Sequence, residues 1–263
     1  MEVHHHPQLN HEKKPWKEYL LEGLMIFLAV FMGFIAENVR EGIVEHNREK
    51  EYIREMVNNL KYDTTRCNKN SVLDERSCLG LDSLRTELQK AIAGNVDGNR
   101  LYYFAMRYTG RVAKAAFNKS AYTELRSSGS FRLITDKKLV TEISDYYDRR
   151  VAATEGVVPD ALRADLRTAK EQFFNWAYFD NLIIKSDHRQ ANFETTYDYK
   201  KILTMNPPLK VLNTNPEALQ KLYNEVAEFE LGLKNYIYFM SWTKEGAVSL
   251  ISSIRQQYRL KDE

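Results

Sequence analysis

The sequence predicts an all-α protein: one N-terminal transmembrane helix followed by a multi-helix bundle with long helices. Three observations predict it. Residues 23–36 form an unbroken apolar run. Glycine (11) and proline (6) are scarce in 263 residues, so long elements meet few breakers. The remaining composition, rich in Leu, Glu, Lys, Arg and Ala, favours helix, and no stretch alternates convincingly as a strand. An apolar share of 43% beside 28% charged residues suits a folded chain rather than a disordered one. The organisation read from these features is a flexible His-containing tail over 1–15, a transmembrane signal anchor over 16–38, and an α-helical domain over 39–263.

The tail reads "MEVHHHPQLNH". His4, His5 and His6, with His11, are weak metal candidates, of a type that binds a borderline cation such as zinc or nickel. A tail without function is the plainer reading, and no cofactor is expected.

The anchor needs counting. Gly23 to Ala36 is 14 residues, about 21 Å of helix against a hydrocarbon core of about 30 Å. Adding Tyr19, Leu20, Leu21 and Glu22 extends it to 18 residues, or about 27 Å. Trp16 and Tyr19 then stand where an interfacial aromatic belt belongs. Glu22 lies near the end of the run, where its carboxylate reaches toward the headgroups; at the midplane it would be far costlier. A cleavable signal peptide fits less well, because Phe34 is bulky two residues before Ala36, where cleavage needs a small residue. A core helix of a soluble protein fits less well too, because the run has no polar face. Ala29 and Gly33 are four apart and Ala36 follows three later, a small-residue face on which two helices can approach closely. Lysines and arginines near the two ends tie, so they do not set the orientation. The preferred arrangement keeps the N-terminus in the cytoplasm of a bacterium, the anchor in its inner membrane, and the helical domain in the periplasm.

From Glu37 to about Ala93 the pattern reads as helix, with Gly42 and Gly80 as soft spots and "DTTRCNKN" (63–70) as a bend or break. "GNVDGN" (94–99) is a turn. A second helical region starts at Arg100 and is continued by "SAYTELRSSG", after which Gly129 suits a left-handed cap. Thr135 is read as the next N-cap, with Asp136 at the positive helix end, and Leu139, Ile143 and Tyr146 or Tyr147 keep helical spacing. "GVVP" (156–159) interrupts. A further helix is expected over about 160–184, and 185–214 is the most loop-like stretch. The last helix is best signalled: Asn215 as cap, Pro216 as first helical residue, Glu217 in the first turn. Its apolar seam runs from Leu219 to Tyr258, with an interruption expected at Thr243.

Chemistry is sparse. No phosphate loop, dinucleotide glycine pattern, nucleophile elbow or His-Glu-x-x-His motif occurs. Cys67 and Cys78, eleven residues apart, would lie about 16 Å apart on a straight helix, too far for a disulfide. His46 and His188 are isolated. Glu225 and Glu228 share a face that reads as solvated. A net charge of +2, with no basic cluster interleaved with aromatic residues, excludes a nucleic-acid partner at this level of reading.

"WKEYLLEGLMIFLAVFMGFIAENVRE", followed by "REKEYIREMVNNLKYD" (48–63), resembles a family of uncharacterised bacterial single-pass membrane proteins with an N-terminal span and a long helical domain. "AYTELRSSGSFRLITDKKLVTEISDYY" (121–147) resembles their middle segment. The resemblance implies no catalytic or binding residues. The expectation is a non-enzymatic membrane-anchored protein that serves as scaffold, sensor or accessory subunit through protein–protein contacts. Its partners would be the lipid bilayer, an unidentified protein and a second copy of itself. Two alternatives stand beside it. One is an oligomeric pore or ion path lined by Glu22. The other is a soluble helical enzyme with 19–36 as a core helix.

Overall fold

The computed structural model describes residues 15–178 and 198–260, and every regular element among them is helical. The chain divides into two compact units, Met1–Glu51 and Tyr52–Glu263. Helix α1, Trp16–Ile92, is 77 residues long. In the first unit its residues from Trp16 to Val44 are exposed, apolar and polar alike. Arg40 clamps Glu37 one turn back through Nε (2.9 Å) and Nη2 (2.5 Å), and His46 Nδ1 lies 3.2 Å from Glu49.

Helix α1 is not broken at 63–70 in the second unit, contrary to the expected bend, and neither Gly42 in the first unit nor Gly80 in the second interrupts it. The polarity of 63–70 has another cause. Asp63, Cys67, Asn70 and Asp74 recur at helical spacing and all turn inward. Thr64 and Thr65 satisfy their hydroxyls on the Lys61 carbonyl, which keeps them compatible with helix. At Gly80 a Cβ would overlap the Tyr108 ring, so the glycine is a contact residue rather than a weak point.

Asp97 caps α2, Gly98–Tyr108, by accepting from Arg100 N at 3.0 Å. The second helical region does not run on as expected. Residues 109–119 leave the helix, and α3 begins only at Ser120, ending at Ser127. Gly129, at φ 68°, then takes the left-handed turn. Asp136, not Thr135, caps α4 (Lys137–Ser144), accepting from Lys138 N (2.8 Å) and Leu139 N (3.3 Å). A π-helical turn over Asp145–Val151 follows and leads into α5, Ala152–Gly156. The wider turn brings successive side chains closer in azimuth, and both Tyr146 and Tyr147 are buried. After the break at 157–159, α6 runs Asp160–Lys170, shorter than expected; Phe173 and Phe174 beyond it are buried in turns, and the rest of the predicted helix is outside the described residues from 179. His188 lies outside them as well. Within the loop-like stretch, Tyr199–Thr204 forms a 3-10 helix.

Helix α7, Pro216–Tyr258, starts as predicted: the Asn215 side chain accepts from Glu217 N (2.9 Å) and Ala218 N (3.1 Å), with Pro216 in the first turn. Leu219, Leu222, Val226, Phe229, Leu233, Tyr236, Met240, Ala247, Leu250 and Ile254 are buried at alternating steps of three and four, apart from the seven-residue step across Thr243. Thr243 occupies that step and does not interrupt the seam. It is fully buried, 2.6 Å from the Thr154 hydroxyl. The seam serves two cores. Its first half packs with Leu81, Leu84 and Leu88 of α1, Leu101 and Tyr102 of α2, and Leu166 of α6. Its last turns pack with Ile53, Met56 and Leu60 of α1 and with Leu125, Ile134, Ile143 and Val151.

Candidate functional site

The predicted membrane-facing residues share one environment. Trp16, Tyr19, Glu22, Ala29, Gly33 and Ala36 are all exposed on the first unit's part of α1. A Cβ at Gly33 would meet no atom within 4 Å, so the small-residue face is open. An 18-residue window of this helix has mean hydropathy 2.1 and none of it is buried within the chain. His4, His5, His6 and His11 lie outside the described residues. Among the described residues no group of three or more His, Cys, Asp or Glu side chains could hold a metal ion. Cys67 and Cys78 are free and buried, and burial pushes both thiols up to about 11, which leaves them unreactive at neutral pH.

A buried polar strip that sequence reasoning missed runs along the second unit's part of α1. It holds residues 109–119 in place. Asp74 Oδ1 accepts from Ala113 N at 2.8 Å, and Asp63 Oδ1 accepts from Asn118 N at 3.0 Å. Asn70 donates to the Lys114 carbonyl (2.9 Å), and Asn59 accepts from the Asn118 side chain (2.7 Å) while donating to Ser120 Oγ (3.0 Å). From α7, Tyr236 OH accepts from Ala115 N at 2.7 Å. The strip accounts for the lost helix: "RVAKAAFNK" has helical propensity, but its amides and carbonyls are claimed by side chains on α1 and α7. Both carboxylates are 1% exposed. Burial pushes them up to about 6, against the smaller opposing pull of the backbone amides they accept. Tyr146 lies beside Asp63, and the carboxylate charge adds to burial in raising its hydroxyl well above the ordinary range. With each Oδ1 occupied by a backbone amide, the carboxylates act as anchors for the 109–119 segment.

Lys170 is a second buried ionisable group. Its Nζ bonds to Thr109 Oγ1, lies 3.5 Å from the Ala105 carbonyl, and sits 5.3 Å from the centre of the Trp176 ring. Burial, with the Arg167 charge, lowers its ammonium to about 8. Thr109 in turn donates to the Ala105 carbonyl, so the group closes the C-terminus of α2.

A cleft of about 330 Å³ has a lining that includes Arg76, Gly80, Phe104, Arg107, Tyr108, Arg111 and Tyr199. Its floor is set by Gly80, against which the Tyr108 ring lies. Arg107 sits among three rings, 5.8 Å from Tyr103, 5.5 Å from Tyr108 and 5.9 Å from Tyr199. Among the described residues no carboxylate forms an ion pair with Arg76, Arg107 or Arg111. Asp82 turns to Arg85 at 4.0 Å, and Asp74, which feels the Arg111 charge, commits its Oδ1 to Ala113 N. A signal existed: "RLYYFAMRYTGR" (100–111) does interleave arginines with aromatic residues, contrary to the sequence reading.

No family model matches this chain, and neither a curated protein nor a solved structure matches it.

Proposed function

We propose that the protein is a single-pass, membrane-anchored helical scaffold, sensor or accessory subunit, held by residues 16–38 and working through protein contacts. One observation carries this reading: an apolar helix that the chain itself leaves wholly unburied. A core helix would be covered by its own protein. Ten large apolar side chains between Leu24 and Ile35 are exposed, from 42% at Ile35 to 68% at Val30. Moving ten such groups out of water is worth roughly 15–30 kcal/mol, which exceeds the about 5–15 kcal/mol that holds a typical domain together. A bilayer supplies that burial, and Trp16 and Tyr19 at one end suit its interface. The open Gly33 face suits pairing of two such helices through Ala29, Gly33 and Ala36. In this reading the anchor lies in a bacterial inner membrane, with the N-terminus cytoplasmic and the helical domain periplasmic. In that setting the protein is expected in the membrane pellet, resistant to alkaline carbonate and released by detergent. A C-terminal alkaline phosphatase fusion is expected to be active. Recovery in the soluble fraction without detergent overturns the anchor; an active cytoplasmic reporter at the C-terminus overturns the orientation.

A further inference from the structure

We infer that the cleft between α1, the end of α2 and the 3-10 helix at Tyr199–Thr204 binds a phosphorylated ligand that carries a flat ring, such as a mononucleotide. The inference goes beyond the membrane anchor and does not depend on it. Three features of the cleft converge.

The first is positive charge with no carboxylate paired to it among the described residues. Arg76 projects from α1, Arg107 from the last turn of α2, and Arg111 from the segment after it. Three guanidinium groups in one concavity repel one another, and among the described residues no carboxylate pairs with any of them. Elsewhere in the second unit the habit is different: Arg85 pairs with Glu230 at 3.2 Å, Arg100 with Glu87 at 2.8 Å, and Arg126 with Asp148 at 3.0 Å. A multiply charged oxyanion is the ligand that three forked donors satisfy, each offering paired N–H groups.

The second feature is the aromatic wall. Phe104, Tyr108 and Tyr199 line the same space as the arginines. The Phe104 and Tyr108 rings stack on each other, at 26° with centres 6.2 Å apart, and line the space together. A ring adjoining the phosphate gains stacking against them that a bare phosphate lacks. The third is preorganisation. Arg107 is already held among Tyr103, Tyr108 and Tyr199, and Tyr108 is held against Gly80, so little side-chain freedom remains to be lost on binding. The volume of about 330 Å³ lies within the range of small-ligand sites.

Calorimetry on the full-length protein in neutral detergent, with adenosine 5′-monophosphate and inorganic phosphate as probes, tests this. The nucleotide is expected to bind once per chain, about tenfold tighter than phosphate, and more weakly as salt rises. Arg107→Gln and Arg111→Gln are each expected to weaken both probes about tenfold or more. Phe104→Leu is expected to weaken the nucleotide and spare phosphate. Gly80→Ala, which adds no charge and displaces the Tyr108 ring, is expected to weaken the nucleotide as well. Each variant is scored only with the helical spectrum and melting point of the parent; if Arg107→Gln fails this, Arg76→Gln with Arg111→Gln replaces it. Absence of saturable nucleotide binding up to millimolar concentration overturns the inference. So does equal affinity for the two probes, or arginine variants that bind like the parent. None of these outcomes bears on membrane anchoring, which fractionation reads separately.

Discussion

The start of α1 and the whole of α7 are both rich in large apolar side chains, yet they meet opposite fates. On α7 the apolar residues fall on one stripe from Leu219 to Ile254 and are buried at 0–3%, while Leu231, Tyr238 and Val248 stay outside it. On residues 19–36 of α1 they run all round the helix, and none is buried. A stripe finds its cover within the chain, because the opposite face can remain in water. A helix apolar on every side has no such face, and a bundle of this size buries one side of it at most. Distribution, not quantity, separates a helix that the chain covers from one that it leaves bare.

Phe229→Ala is the largest expected way to break this contrast. The side chain is fully buried in the seam of α7. Its loss is expected to cost about 3–5 kcal/mol in stability, by denaturant unfolding, because a packed core collapses only partly around the cavity. Phe27→Ala on the exposed part of α1 is expected to leave that stability unchanged. A loss at Phe27 comparable to that at Phe229 would show that the first helix is a core element after all.

Leu28→Arg probes the other side. Leu28 lies at the middle of 19–36. A charge there is expected to disfavour insertion by about 2.5–3.5 kcal/mol, enough to move much of the protein out of the carbonate-resistant pellet. Leu231→Arg, at a position 69% exposed on α7, is expected to alter neither stability nor fractionation.

Within α1 itself the contrast sharpens further, since Asp63 and Asp74 are buried where the first unit's acids are mostly exposed. Asp74→Ala leaves the Ala113 amide without its acceptor and is expected to cost about 1–3 kcal/mol. The pH dependence has the opposite sign to that of an ordinary salt-bridged carboxylate. A folded value raised from 3.8 to about 6 means that the native state holds protons the unfolded chain has released. The stabilisation is complete below about 4 and is lost as pH rises through about 6, on the order of 3 kcal/mol per group. Urea unfolding of the parent is therefore expected to give greater stability at pH 5 than at pH 7.5. Asp63→Asn, which keeps an acceptor for the Asn118 amide and removes the charge, is expected to flatten that slope. An unchanged slope would mean that Asp63 titrates near its ordinary value.

Legibility in the sequence followed the range of the interactions concerned. The Asn215-Pro216-Glu217 start, the Gly129 turn and the seam of α7 are local, and their residues declare them. The departure of 109–119 from helix is not local. It depends on Asp63, Asn70 and Asp74, 39 to 55 residues earlier, and on Tyr236 far later, so propensity alone read those residues as helix. The polarity that made 63–70 look like a break is the same strip seen from one strand of text. The arginine cleft joins residues 76, 107, 111 and 199, and only the 100–111 portion of it was visible as a pattern.

Glu22→Leu is the smallest change and bears on why the apolar helix carries an acid at all. Without the turn that contains Glu22, the uncharged run of 14 residues is about 9 Å short of the hydrocarbon core. In the proposed anchor the span therefore depends on Tyr19, Leu20 and Leu21, with Glu22 near the headgroups. At that depth a carboxylate reaches water, so its removal is expected to leave insertion unchanged or to strengthen it by less than about 1 kcal/mol, read as the carbonate-resistant fraction. If Glu22 instead faces a path between associated helices, the same substitution leaves insertion intact and abolishes an ion conductance measurable in reconstituted vesicles. Vesicles that show no conductance with either protein exclude the pore. In the proposed anchor they leave Glu22 as the residue that sets how deep the helix sits.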